Sequence, residues 1–123
     1  MRTRIEVKEA LFENDRLVLQ PEIKHNLEGL APGRRVLADS DQLSFIYILE
    51  DQEEFVYISL PKHIWPMLKE AFGRKAPVIL TSDENELELS DFHVELAELV
   101  ENISGNANYG EEMEQEVTEI FGN

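Results

Sequence analysis

The sequence has no cysteine, which excludes disulfides, thiolate nucleophiles, iron–sulfur clusters and cysteine-based zinc sites. It also lacks any run of about 18 apolar residues, the length a bilayer-spanning helix needs. The first residues, Met1-Arg2-Thr3-Arg4-Ile5-Glu6, alternate charge and carry no apolar signal region, so the expected compartment is the cytoplasm. The third deficit is positional. All 11 lysines and arginines lie at or before Lys75, while half of the 26 acidic residues follow it. The stretch from Ala76 onward therefore carries about −13 of the net charge of −15. Like charge repels at long range, so direct nucleic-acid binding and an anionic membrane surface are not expected.

Sequence signatures of catalysis are equally scarce. There is no Walker A loop, no G-x-G-x-x-G and no G-x-S-x-G elbow. His25, His63 and His93 are far apart, and none has a second histidine at metal-ligand spacing. Ser90, Asp91 and His93 are too close in sequence to converge as a triad. A calcium loop starting at Asp83 fails, because its sixth position is Glu88 where glycine is required and its twelfth is Val94 where glutamate is required. Spacing therefore assigns no catalytic, cofactor-binding or metal-binding residue, and no cofactor. Carboxylates are abundant, so a small metal-dependent hydrolase using acidic residues and His93 stands as the alternative in the enzyme class.

What is present reads as one α+β domain over residues 1–123, long enough to bury about two-thirds of its unfolded surface. Thr3, Ile5 and Val7 alternate with Arg4, Glu6 and Lys8, as in a half-buried strand. Arg16 to Gln20 follows as a second strand, ended by Pro21. Residues 22–34 fit either one helical turn or a short strand, and Pro32-Gly33 marks a turn before Arg35 to Ala38 resumes extended structure. Leu43–Leu49 and Phe55–Leu60 bracket five polar residues and predict a hairpin; neither arm alternates, so both faces should be covered. Pro61 to Phe72 predicts a helix stopped by Gly73, with Trp65 in the core. Val78 to Leu80 and Leu87 to Leu89 predict a second hairpin around Ser82-Asp83-Glu84-Asn85. Phe92, Leu96, Leu99, Val100 and Ile103 define an amphipathic helix, and Met113, Val117, Ile120 and Phe121 define another. The expected architecture is an antiparallel sheet of five to seven strands covered by one middle helix and two C-terminal helices.

The acids follow this pattern. Glu95, Glu98 and Glu101 recur every third residue away from the apolar stripe, and Glu111, Glu112, Glu114, Glu116 and Glu119 occupy the outer arc of the last helix. Asp83, Glu84, Glu86 and Glu88 add a sheet edge. Like charges three or four residues apart oppose helix formation by a few tenths of a kcal/mol per pair, roughly. Between the two helices, Asn106, Asn108 and Tyr109 stand in a loop with Gly105 and Gly110; Asn108 is placed to cap the last helix and Tyr109 to pack on the sheet. Together Glu95, Glu98, Glu101, Asn106, Asn108, Tyr109, Glu111, Glu112, Glu116 and Glu119 form the candidate interaction surface. The expected partner is a basic protein; a homodimer through a sheet edge or helix face is the other arrangement considered.

Two segments carry a resemblance. Val36-Leu-Ala-Asp-Ser-Asp-Gln-Leu-Ser-Phe-Ile-Tyr-Ile-Leu-Glu50 and Gly105-Asn-Ala-Asn-Tyr-Gly-Glu-Glu112 are similar to the YjbL-like family of short acidic proteins from bacilli and related bacteria. The resemblance runs from Ile5 to about Phe121. It implies a cytosolic protein and supplies no assigned activity, cofactor or functional residue to carry over.

Overall fold

The computed structural model describes residues 3–52, 54–82 and 85–122. In chain order the elements are β1 (Thr3–Glu13), β2 (Arg16–Pro21), β3 (Ala31–Asp39), β4 (Ser44–Glu50), β5 (Phe55–Pro61), α1 (Trp65–Arg74), β6 (Val78–Ser82), β7 (Asn85–Glu88), α2 (Phe92–Ile103) and α3 (Glu111–Phe121). The strands form one seven-stranded sheet in the order β3-β4-β5-β1-β2-β6-β7. Its class is α+β, as expected, but the sheet is mixed rather than antiparallel. β1 pairs parallel with β5, and β2 pairs parallel with β6. The hairpins β1-β2 and β6-β7 and the meander β3-β4-β5 are antiparallel locally; their assembly through long connections creates the two parallel seams.

β1 joins the two parts. Thr3 to Glu6 lie against Val56 to Ser59 of β5, whereas the rest of the strand faces β2. A register shift between Val7 and Glu9 separates these segments. Ile5 and Val7 belong to the core, and so do Ala10 and Phe12, although the parity of their positions differs. One extra residue at the bulge absorbs that difference, because it resets the face each later side chain takes. Strands that pass between sheets commonly turn at such bulges.

All three helices pack on one face. Trp65, Leu68, Ala71, Phe92, Leu96, Ile103, Met113 and Val117 join Phe45, Tyr47 and Leu49 of β4 in one buried cluster. Ile46 and Ile48 alternate with these and point to the other face, which receives no helix. They are nonetheless nearly buried, because the register sets Leu37 beside Ile46 and Tyr57 beside Ile48. Both faces are thus covered as expected, one by helices and the other by side chains of the neighbouring strands.

The middle helix also differs from expectation. Lys62–Ile64 form a 3-10 turn, after which α1 begins at Trp65 with Pro66 in its first turn, where a missing N–H costs nothing. Gly73 does not stop it. The helix continues to Arg74 and closes on Lys75, which adopts the left-handed conformation at φ 57° and bonds back to Ala71 and Phe72. Phe72, expected in the core, is half-exposed. Residues 22–30 form neither helix nor strand; Leu27 is buried in the core there with Leu30 packed against it, and the His25 amide is held by Ser82 Oγ at 2.8 Å. Pro32 and Gly33 lie within β3 at a register shift and not in a turn. Asp83 and Glu84, expected at the β6-β7 turn, lie outside the described residues.

Candidate functional site

α2 and α3 lie against each other. Their apolar stripes face the sheet, so their carboxylates are left on the outside. Glu98, Glu101, Glu111, Glu112 and Glu119 are exposed, and Glu95 and Glu116 are half-buried. Glu111, Glu112 and Glu114 fall in the first turn of α3, where the helix dipole favours negative charge by about 0.3–1 kcal/mol each. The remaining acids gain nothing from that field. Glu116 pairs with Lys62 at 3.5 Å, Glu86 with Arg16 at 2.9 Å and Asp91 with Arg34 at 3.9 Å. Among the described residues, Glu95, Glu98, Glu101, Glu111, Glu112 and Glu119 have no such partner. With every lysine and arginine at or before residue 75, few reach this side of the helical layer.

The loop between the helices is occupied with its own architecture. Asn106 Oδ1 accepts the Asn108 amide at 3.0 Å, and the Asn106 amide donates to the Ile103 carbonyl at 2.9 Å. The Tyr109 ring packs against the core, while its carbonyl accepts a hydrogen bond from Ser40 Oγ. Asn108 does not cap α3. Gly110, at φ 94°, stands at that N-cap, with no side-chain cap. Of the three loop residues Asn108 is exposed, whereas Asn106 and Tyr109 are half-buried.

Next to the acidic surface is a groove of about 630 Å³ that all three helices line. Its walls include Phe72 from α1, Leu96, Ala97 and Val100 from α2, and Phe121 from α3; Lys69 stands on the α1 wall and Glu101 on the α2 wall. Phe72 is 49% exposed, and Val94, one turn before Ala97, is 60% exposed. Phe72 owes its exposure to the groove it lines, whereas Val94 lies outside that lining. Periodicity assigns Phe72 to the core and so conceals the groove. The available signal was an apolar surplus: Phe72 and Val94 add to stripes that Trp65, Leu68, Ala71, Phe92 and Leu96 complete without them.

His93 is not presented to the acids. Its Nε2 lies 2.6 Å from the Ala76 carbonyl, and its ring stands edge-on to Phe72 and Phe92. Among the described residues no group of three or more histidine, aspartate and glutamate side chains is placed to hold a metal ion. His63 Nε2 meets the Lys8 carbonyl at 2.7 Å.

On the helix-free face, the Arg4 guanidinium ties β1 to its neighbours. It donates to Glu6 at 2.9 Å, Asp39 at 2.8 Å, Gln42 at 3.0 Å and the buried Ser59 Oγ at 3.0 Å. These contacts explain the shallow polar depression beside Arg4, Asp39 and Tyr57 as a structural joint.

Tyr47 anchors the start of α2 to β4, donating from its hydroxyl to the Ser90 carbonyl at 2.6 Å. Burial pushes this hydroxyl up from 10.0 to about 12; the backbone of Arg34 opposes the rise and the charge of Asp91 adds to it. The folded state therefore holds the phenolic proton more tightly than the unfolded chain. The resulting stability is complete below about pH 10 and is lost as pH rises toward about 12. The urea midpoint of the native protein should fall more steeply across that window than that of Tyr47→Phe. Parallel curves would show that the hydroxyl is not linked to folding.

Among the described residues no helix is long and apolar enough to cross a membrane. No solved structure matches the chain. A family model described as a family of unknown function, UPF0738, matches residues 5–121. A UPF0738 protein of Bacillus licheniformis is 51% identical over 121 residues, covering 98% of this chain and 99% of its own. The UPF0738 protein YjbL of Bacillus subtilis is 42% identical over 121 residues, with the same coverage. A UPF0738 protein of Geobacillus thermodenitrificans is 44% identical over 122 residues, covering 98% of each chain. The resemblance drawn from the two motifs and the full-length matches agree: the chain belongs to the UPF0738 family.

Proposed function

We propose that the chain is a single-domain, non-catalytic interaction module of the cytoplasm, whose α2–α3 surface meets a basic patch on another protein. The observation that carries this reading is the set of carboxylates on two adjacent helices, Glu95, Glu98 and Glu101 with Glu111, Glu112 and Glu119, that have no ion-pair partner among the described residues. Such a surface raises the encounter rate with a cationic partner and makes the complex sensitive to salt. At about 1 M salt the Debye length falls to about 3 Å, so a complex of this type dissociates.

Net charge alone would attract any polycation, so the test must separate placement from total charge. One variant carries Glu98→Lys, Glu101→Lys, Glu112→Lys and Glu119→Lys. Its control carries Asp41→Lys, Glu22→Lys, Glu28→Lys and Glu50→Lys, exposed positions outside the helices with the same change in total charge. Proteins retained by the native chain from lysate at low salt should be lost at least about tenfold more from the helical variant than from the control. Equal losses would reduce the acids to a solubilising coat.

A further inference from the structure

We infer that the partner inserts a large apolar side chain into the groove between α1, α2 and α3, from a basic amphipathic segment lying along α2. This rests on the acidic-surface reading and extends it by naming the shape of the ligand. Phe72, Ala97 and Val100 give the groove an apolar wall, and its volume falls within the range that holds a bulky side chain or a small ligand. Its α2 wall carries Glu101, one turn from the exposed Glu98, and neither has an ion-pair partner among the described residues. An apolar floor with Glu101 on one wall, continued along α2 by Glu98 outside the groove, is complementary to a helix with leucine or phenylalanine at i, i+3, i+4 and i+7 and lysine or arginine beside them. Lys69 on the α1 wall sets the direction: cations of the partner lie toward α2, away from α1. The apolar anchor supplies affinity and the carboxylates supply selection, as in interfaces where a central desolvated side chain is ringed by polar contacts.

The probe is a fluorescently labelled 18-residue peptide of leucine and lysine, with the leucines at helical spacing. Two further peptides serve for comparison: one of identical composition in scrambled order, and one with glutamate replacing lysine. Anisotropy titrations against the full chain should show the patterned lysine peptide binding at least about tenfold tighter than either comparison peptide. Phe72→Ala removes the exposed wall, and Ala97→Gln fills the groove with a good helix former; each should weaken the patterned peptide by about fivefold or more, with the melting temperature kept. Glu98→Lys with Glu101→Lys should weaken it similarly and flatten its salt dependence.

Equal affinity for patterned and scrambled peptides overturns the inference. Weakening by the lysine substitutions alone, with Phe72→Ala and Ala97→Gln unchanged, also overturns it, while leaving the acidic surface in place. Loss of every effect overturns both. A concentration-dependent dimer in sedimentation, dissolved by Phe72→Ala, assigns the groove to a second copy of the chain and overturns the basic-segment reading.

Discussion

Replacing Trp65 with alanine should cost about 3–5 kcal/mol, a large part of the 5–15 kcal/mol that holds a typical domain together. Trp65 is fully buried. Its ring stacks on Phe45 with centroids 4.4 Å apart, and Phe121 closes the cluster at 6.1 Å from Trp65 and 5.9 Å from Phe45. The indole N–H donates to the Leu60 carbonyl at 3.0 Å, so the residue also fixes the turn from β5 into α1. Three elements meet at this side chain, which leaves little room for the cavity to collapse. For a chain of this length the melting temperature should fall by about 10 °C or more, read by circular dichroism because the variant has no tryptophan. Trp65→Phe keeps an aromatic ring over Phe45 but removes the indole donor from the Leu60 carbonyl; its cost should be smaller, about 1–3 kcal/mol. A shift below about 3 °C for Trp65→Ala would contradict the packing described.

Gly33→Ala should be the second most damaging change. A methyl group built on Gly33 would lie 2.6 Å from the Ile48 carbonyl oxygen and 3.3 Å from Ile48 Cγ2. The nearest obstacle is backbone, so no side-chain rotation relieves it. β3 must either retreat from β4 or lose its register at the shift between Pro32 and Val36. Forcing atoms into such a contact costs about 1–3 kcal/mol. Hydrogen exchange should show the loss first in β3 and β4, with the helices protected as before. The same chemical change at Gly73 should have the opposite sign. That glycine lies within α1 with nothing within 4 Å of the added carbon, and alanine gains about 0.5–1 kcal/mol over glycine in a helix. Two glycine-to-alanine variants moving the melting temperature in opposite directions would separate close backbone approach from intrinsic propensity.

Much of the fold is legible where apolar spacing is regular. Phe92, Leu96 and Ile103 in α2, and Met113 and Val117 in α3, occupy the buried positions their period demands. The β4-β5 hairpin follows from two apolar arms around a polar link. The parallel pairings were not legible, because alternation tells which face a residue takes and never which strand lies beside it. Ile5 reads as core without revealing that its neighbour is Ile58. The bulge before Glu9 was hidden for a related reason: local alternation from Thr3 to Lys8 is perfect, and the slip appears only where Ala10 and Phe12 resume the core. Residues 22–30 offered no period at all, since Leu27 alone is buried there.

At the candidate site the sequence located the acidic helices and the packing of Tyr109, but misplaced the α3 cap at Asn108 and missed the groove. Asn106 and Tyr109 have the composition of recognition residues, yet the Asn106 amide and Oδ1 and the Tyr109 carbonyl close the turn onto Ile103, Asn108 and Ser40. Whether a polar group is spent internally depends on tertiary contacts that composition does not encode. The groove needed the relative placement of three helices, and Phe72 looked like core because its spacing from Trp65 and Leu68 fits a helical stripe.

The position of β1 in the sheet has a consequence for how the protein is made. Residues 3–6 pair with residues 56–59, so a ribosome that has just released the first hairpin has released only one flank of that strand's eventual neighbourhood. Its other edge waits until β5 emerges, and β2 waits longer for β6. Assembly is therefore expected to be late and all at once, with the early hairpin exposed to unwanted strand partners during synthesis.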